Sequence, residues 1–192
     1  MKRKRGGGTR TVASVAIVRF VNGREEVLLT RERKGSDAGL SVPGGKLEGD
    51  ETLGQCAARE AFEESGDALQ ESTLATIRGL EFAECTAAQG WVAVMRLPVG
   101  DRDESVPFSR DKANQHRQKA VSRLGKRPSD VTLQEGLEWH PVDDVRSFDW
   151  RKSNMRFAGQ HRALAAMRIL GPRPPPPPVE ITAEQRDRME AS

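Results

Sequence analysis

The stretch from Val42 to Gly66 constrains the fold and chemistry of this chain more than any other part of it. It begins with a Pro-Gly-Gly turn, where glycine allows backbone angles and close approaches that a side chain would prevent. The turn leads into a predicted helix that carries Glu60, Glu63 and Glu64. Positions i, i+3 and i+4 share one face of a helix, so these three carboxylates are expected to form one patch.

Three acids on one helix face cost free energy. Like charges at i and i+4 repel by roughly 0.2–0.5 kcal/mol, and the negative end of the helix dipole disfavours them further. A hard divalent cation removes both penalties, because Mg²⁺ and Mn²⁺ prefer oxygen ligands. For an isolated Glu-x-x-Glu-Glu pattern, a solvated charged face would be the favoured interpretation, since charged residues belong mostly to the surface. The surrounding residues decide between the two.

The surrounding glycine, glutamate and arginine residues favour the metal site. Their spacing resembles the Nudix box, the signature of the Nudix (MutT-like) hydrolases, at all seven fixed positions. The matching residues are Gly45, Glu51, Arg59, Glu60, Glu63, Glu64 and Gly66. Two positions depart from the family pattern: Ala61 is smaller than the usual aliphatic residue, and Asp67 replaces an apolar one. The second departure affects the exit from the helix and not the metal ligands.

The resemblance implies an α/β fold, the Nudix α/β/α sandwich around a mixed β-sheet, over roughly residues 11–170. It also implies a pyrophosphohydrolase that depends on Mg²⁺ or Mn²⁺. By this resemblance Glu60, Glu63 and Glu64 would bind the metal, aided by the backbone carbonyl of Gly44.

Two further catalytic roles follow from the resemblance. Arg59 would orient the carboxylates through a charged hydrogen bond, with Glu51 as its partner. The general base varies in position within the family, and Glu135 is the first candidate outside the box. Glu138 and Glu104 are weaker candidates, and a surface acid before a strand is an equally good interpretation of Glu135.

The substrate is less constrained than the reaction. Arg31, Arg33 and Lys34 lie in a segment that is near the substrate in the family, so they are candidate phosphate partners, with an ordinary charged loop as the alternative. Trp91 and Trp139 would offer rings for stacking on a base, although packing in a small core is the commoner use of tryptophan.

A nucleoside di- or triphosphate is the preferred substrate class. The Pro-Gly-Gly-Lys-Leu-Glu sequence resembles nucleotide-pool-cleaning enzymes, and the chain has no tyrosine, which counts against dinucleoside polyphosphates. Hydrolysis of an RNA cap or an inositol pyrophosphate stays open. A different class of function, a non-catalytic Nudix-fold module that binds nucleotide or RNA, is suggested by the basic amino terminus and the charged insertion.

Composition sets the outer limits of this interpretation. The chain has 192 residues, 36% hydrophobic and 31% charged, so one domain with tails is expected. The net charge of +3 suits a phosphate ester without requiring nucleic acid. Cys56 and Cys85 lack metal-ligand spacing, so reduced thiols and an intracellular location are expected. The cytoplasm is preferred, with the nucleus and mitochondrion left open. No apolar run approaches about 18 residues, so no membrane partner is expected, and a homodimer stays an option.

Periodicity and turn signals predict the remaining elements. The Asn-Gly pair at 22–23 predicts a β-hairpin with strands over Thr11–Phe20 and Glu26–Arg31. Thr52 with Gln55 three residues later predicts a capping box at the start of the glutamate-bearing helix. Further strands are expected over Leu74–Phe82, Trp91–Leu97 and Leu133–His140, and helices after Pro141 and over Arg156–Leu170.

Three segments fall outside the predicted core. Residues 1–10 are basic and glycine-rich and are expected to be a disordered tail. Residues 98–131 form a long charged insertion, in which disorder or a solvated excursion is favoured over a basic helix from Ser109 to Leu124 acting as a lid or phosphate clamp. Residues 171–192 form a proline-rich tail, expected to be a polyproline II linker.

Overall fold

The computed structural model describes residues 11–34, 37–85, 90–97, 108–123, 133–147 and 157–171. Within these ranges the strands are β1 (Val12–Val21), β2 (Arg24–Lys34), β3 (Asp37–Ser41), β4 (Gly44–Lys46), β5 (Ala83–Cys85), β6 (Gly90–Arg96) and β7 (Leu133–Pro141). The helices are α1 (Leu53–Ser65), α2 (Glu71–Arg78), α3 (Arg110–Arg123), α4 (Val142–Ser147) and α5 (Phe157–Leu170).

The strands form one mixed sheet with β1 at its centre. β1 pairs antiparallel with β2 at one end and with β4 at the other, and it pairs parallel with β6 along most of its length. β2 pairs antiparallel with β3 and β7, and β5 pairs antiparallel with β6. The mixed sheet predicted from the sequence is therefore confirmed.

Helices cover both faces of this sheet. Alternate residues of a strand point to opposite faces, and β1 accordingly sends Ala13, Val15 and Ile17 to a cluster beneath α1 and α2. Ala16 and Val18, which point to the opposite face, join a second cluster beneath α4 and α5. The α/β/α sandwich is confirmed.

Small residues allow α1 to lie close against the sheet. Ala57, Ala58 and Ala61 are fully buried or nearly so, which explains why a small residue stands at position 61. The helix begins at the predicted capping box, in which the Thr52 hydroxyl accepts a hydrogen bond from the backbone N–H of Gln55. A Cβ atom at Gly54 would lie 2.3 Å from the carbonyl oxygen of Arg78 at the end of α2.

Several element predictions are confirmed. The β1–β2 hairpin turns at Asn22 and Gly23, whose φ angles of 50° and 78° are those an Asn-Gly turn adopts. The strand predicted over Trp91–Leu97 corresponds to β6, and the strand over Leu133–His140 to β7. The helices expected after Pro141 and near the carboxyl end are α4 and α5.

The strand predicted over Leu74–Phe82 is wrong. Most of that segment belongs to α2, and Leu74 and Ile77 are buried three positions apart on the helix face that packs beneath α1. Burial of this pair outweighs the weak strand preference of the β-branched residues, because strand propensity depends mainly on packing context.

The preference for disorder in the charged insertion is also wrong over residues 110–123, which form α3. This helix packs against α1 and β7, and its Ala113 is fully buried. The amino-terminal and carboxy-terminal tails and Glu104 lie outside the described residues. In the part of the chain that the structure describes, no helix is long and apolar enough to cross a bilayer.

Candidate functional site

The Pro-Gly-Gly turn lies directly against the glutamate-bearing face of α1. The backbone N–H of Gly44 donates a hydrogen bond to Oε2 of Glu64 over 3.2 Å. A Cβ atom at Gly45 would lie 2.1 Å from Oε1 of Glu60, so the loop approaches the carboxylate more closely than any other residue type would allow. The turn is held in place by the sheet, where β1 pairs with Gly44 and Gly45.

Arg59 joins the loop before α1 to the helix. Its guanidinium donates two hydrogen bonds to the carboxylate of Glu51, over 2.7 and 3.0 Å, and one to the backbone carbonyl of Lys46 over 3.0 Å. It also donates to Oε1 of Glu60 over 2.8 Å and lies 3.5 Å from Oε2 of Glu63. Burial alone would lower the pKa of Arg59, but the hydrogen bond to Glu51 and the charge of Glu60 outweigh it and raise the pKa.

The side chains of Glu64 and Glu60 are both mostly buried. Glu64 is only 4% exposed, and burial raises its pKa well above the ordinary range, although the positive charge of Arg117 opposes this. Burial likewise raises the pKa of Glu60, with Arg59 acting in the opposite direction. Both carboxyl groups are therefore poorly solvated, and both depend on a neighbouring cation to carry a negative charge.

Two residues of the site were not expected from the sequence. Nη2 of Arg117, in α3, lies 2.8 Å from Oε1 of Glu64 and 2.6 Å from Oε1 of Glu32, in β2. The signals for them were weak. Glu32 lies an even number of positions from the buried Leu28, so both side chains point to the same face of β2. Arg117 lies four residues after the buried Ala113, in the segment where the sequence favours disorder over a helix.

α3 is anchored at the carboxyl end of α1. Nε2 of His116 lies 2.6 Å from Oδ1 of Asp67, and the His116 ring packs edge-on against Phe62. A Cβ atom at Gly66 would lie 2.2 Å from the backbone oxygen of Ser109, and Gly66 has a φ of 65°. Asp67, which departs from the Nudix box pattern, is thus one of the residues that α3 contacts.

The candidate phosphate-binding residues on β2, Arg31 and Arg33, pair with carboxylates other than Glu60, Glu63 and Glu64. Arg31 and Arg33 alternate with Glu32, so strand geometry directs them to the face of β2 opposite to Glu32. Arg31 donates two hydrogen bonds to Glu138, which lowers the pKa of that carboxyl group. Nε of Arg33 lies 2.6 Å from Oε1 of Glu135, the first candidate for the general base. The side chain of Lys34 lies outside the described part of the chain. The structure places Arg31 beside Glu138 and Arg33 beside Glu135, and not beside Glu64.

Trp139 is partly buried and packs against the core cluster beneath α1 and α2. The guanidinium carbon of Arg19 lies 4.2 Å from the centre of its ring, which is a stabilising cation–π contact. Trp91, in β6, is partly buried. One face of the Trp139 ring is therefore in use, and its role in stacking on a base stays a prediction.

The donors at this site suit a hard cation by their chemistry. Glu60, Glu63 and Glu64 supply carboxylate oxygens, which are the ligands that Mg²⁺ and Mn²⁺ prefer. Gly44 lies beside Glu64. Among the described residues, however, no group of three or more His, Cys, Asp or Glu side chains is arranged to hold a metal ion. Two guanidinium groups lie among the three carboxylates, Arg59 beside Glu60 and Glu63, and Arg117 beside Glu64.

Comparisons with known proteins extend these observations. The model of one protein family, described as the NUDIX domain, matches residues 10–158. Among solved structures, the chain is similar to a C. elegans Ap4A hydrolase binary complex, with 16% identity, a TM-score of 0.45, and coverage of 83% of this chain and 95% of that one. It is similar to RenU, a Nudix hydrolase from M. smegmatis, with 15% identity, a TM-score of 0.45, and coverage of 87% and 90%.

A third similar structure is Shewanella oneidensis NrtR complexed with a 27mer DNA, with 16% identity, a TM-score of 0.42, and coverage of 83% of this chain and 61% of that one. At these identities and TM-scores the similarity to solved structures does not indicate a function. The family assignment rests on the match to the NUDIX domain alone.

Proposed function

The chain belongs to the NUDIX domain family and is a hydrolase of phosphoric anhydride bonds, and from this premise we propose that it is a metal-dependent pyrophosphohydrolase. It would cleave a nucleoside diphosphate linked to another moiety, with a nucleoside di- or triphosphate as the preferred substrate. The observation that carries the proposal is the position of the seven box residues. Gly45 lies in β4, Glu51 in the loop before α1, and the other five in α1 or at its carboxyl end, and Arg59 connects Glu51 to Glu60.

Glu60, Glu63 and Glu64 would hold Mg²⁺ or Mn²⁺, with the backbone carbonyl of Gly44 as a further ligand. The bound metal would neutralise the diphosphate and lower the pKa of a bound water. The chain itself would supply positioning. Arg59 would keep the Glu60 carboxylate ionised and fixed, and the burial of Glu64 would exclude bulk water from the reacting phosphate.

For the general base we propose Glu135, as the sequence suggested, and add Glu32 as a second candidate. Glu32 is supported by its shared contact with Arg117, which places it near Glu64. Glu135→Gln and Glu32→Gln would distinguish them, because loss of the base lowers kcat by about 100-fold or more, whereas the other substitution should leave kcat within severalfold.

We propose that Arg31, Arg33 and Lys34 contact the phosphates and that Trp139 contacts the base. Arg31 and Arg33 are supported by their exposed side chains, 44% and 54% accessible. Binding a nucleotide would require these arginines to leave Glu138 and Glu135, which costs little because exposed ion pairs contribute only about 0–1 kcal/mol.

The test is phosphate release from a panel of nucleoside diphosphates, triphosphates, dinucleotides, cap analogues and inositol pyrophosphates, with Mg²⁺, Mn²⁺ or EDTA. Activity should require the metal and should fall by about 100-fold or more in Glu63→Gln, because the metal supplies the activated water. Glu71→Gln is the matched control, since Glu71 is an exposed acid of α2, 73% accessible.

Activity that persists in EDTA, or in Glu63→Gln at the level of Glu71→Gln, would refute the metal-glutamate mechanism. Absence of turnover on the whole panel, together with tight binding of RNA, would favour a non-catalytic binding module.

A further inference from the structure

α3 carries a positive charge into the site, and the proposed reaction gives that charge no role. Nη2 of Arg117 lies 2.8 Å from Oε1 of Glu64 and 2.6 Å from Oε1 of Glu32. The three side chains are 18%, 5% and 17% exposed, in that order, so little solvent separates their charges. Such a contact is a strong, charge-assisted hydrogen bond.

We propose that Arg117 competes with the divalent cation for Glu64, so that docking of α3 and binding of the metal oppose each other. The inference rests on the proposed function, in which Glu64 is a metal ligand. A guanidinium and a divalent cation repel each other, and at short range in a poorly solvated site this repulsion is much stronger than in water. The cation would therefore displace Arg117 from Oε1 of Glu64.

The anchor that holds α3 is separate from the contact that it makes in the site. His116 contacts Asp67 and Phe62, Lys112 lies 3.7 Å from Asp67, and Ser109 lies against Gly66. These residues hold α3 to the end of α1 without contacting the carboxylate of Glu64. The anchor can therefore be weakened by a substitution that leaves the Arg117 side chain unaltered.

Linkage makes the coupling reciprocal. If a docked α3 weakens metal binding by some factor, the metal weakens docking of α3 by the same factor. Coupling factors between two sites of one protein are typically about 5–150-fold. The inference thus predicts two effects, one on the affinity for the cation and one on the protection of α3.

The first experiment measures the dissociation constant for Mn²⁺ by titration calorimetry in the wild type, Arg117→Met and Lys119→Met. Lys119 is an exposed cation of the same helix, so its substitution removes the same charge away from Glu64. Arg117→Met should bind Mn²⁺ about tenfold more tightly or better, whereas Lys119→Met should bind within about twofold of the wild type, because screened surface charges act weakly.

The second experiment leaves Arg117 intact. Asp67→Asn weakens the anchor while keeping a residue type that tolerates positive φ, and Asp67 has a φ of 66°. This variant should also bind Mn²⁺ more tightly than the wild type. In the wild-type protein, Mn²⁺ should accelerate amide hydrogen exchange in residues 110–119, and this measurement does not depend on the folding of any variant.

The outcomes separate the inference from the function on which it rests. If the wild type binds Mn²⁺, Arg117→Met binds it no more tightly, and Mn²⁺ does not accelerate exchange in α3, the competition is overturned. The metal site itself would still be supported. Absence of Mn²⁺ binding in the wild type and in all variants, or binding that Glu64→Gln does not weaken, would overturn the metal role of Glu64 and the inference with it.

Discussion

Replacement of Arg59 by methionine is expected to lower the free energy of unfolding by about 3 kcal/mol. Arg59 is the cation that joins the loop before α1 to the helix, through two hydrogen bonds to Glu51, one to Glu60 and one to the carbonyl of Lys46. Methionine keeps the aliphatic length of the side chain and removes only the charge and the donors, so the effect reports the ion pairs rather than packing.

The magnitude follows from the burial of the group. Removing one partner of a buried ion pair costs about 3–5 kcal/mol, because the other charge is left uncompensated. The side chains of Arg59 and Glu51 are each 19% exposed, which places the expected cost at the low end of that range. Glu60 adds to the cost, since burial already raises its pKa and Arg59 opposes this shift more strongly than Arg117 does.

Urea unfolding with EDTA at about pH 7 measures this cost as a change in midpoint at constant m-value. Arg78→Met is the matched control, because Arg78 pairs with Glu71 in an exposed contact, 44% and 73% accessible, and should change stability by less than about 1 kcal/mol. A double-mutant cycle between Arg59→Met and Glu51→Gln should give a coupling energy of about 2 kcal/mol. A coupling below about 0.5 kcal/mol, or equal effects of Arg59→Met and Arg78→Met, would refute the assigned role.

Two further predictions concern buried residues of α1. Burial raises the pKa of the Cys56 thiol to about 12, so little thiolate forms below that pH. In a Cys85→Ser variant, Cys56 should therefore react with DTNB at about pH 8 only after the protein is unfolded in urea. Rapid reaction of the folded protein would contradict this prediction. Gly54→Ala should destabilise the fold by about 1–3 kcal/mol, although alanine is the better helix former, because the added Cβ would lie 2.3 Å from the carbonyl oxygen of Arg78. Gly79→Ala is its control in thermal unfolding, since the nearest atom there is 3.7 Å away, and equal effects of the two substitutions would show that the close approach is not limiting.

The loop and helix of the box were predictable because their residues are close in the sequence and each has a local reason. Thr52 caps the helix that carries the glutamates, and Arg59 reaches Glu51 from eight positions away. The Asn-Gly hairpin is equally local. In such segments the propensity, the turn chemistry and the spacing of the residues agree, so the sequence specifies the structure.

The contacts of α3 could not be predicted in the same way, because they join residues that are far apart in the sequence. Arg117 is separated from Glu32 by 85 positions and from Glu64 by 53. A charged helix gives little hydrophobic pattern to reveal which face is buried. Asp67 departs from the family pattern, but the sequence does not identify His116 as its partner, because the two residues meet only where α3 packs against α1. The misassigned strand at Leu74 has a similar cause, since packing against α1 determines its helix.

The parallel pairing of β1 with β6 sets the order in which the protein can fold during synthesis. Val12 pairs with Gly90, so at typical synthesis rates the partner of β1 emerges roughly 4–16 s after β1 itself. The hairpin with β2 and the short pairing with β4 can form in the meantime, and both take antiparallel positions on β1. The strand is otherwise an apolar segment with unpaired backbone groups, which is a template for aggregation. Chaperones that bind nascent chains would therefore find in β1 a target that persists until β6 has been made.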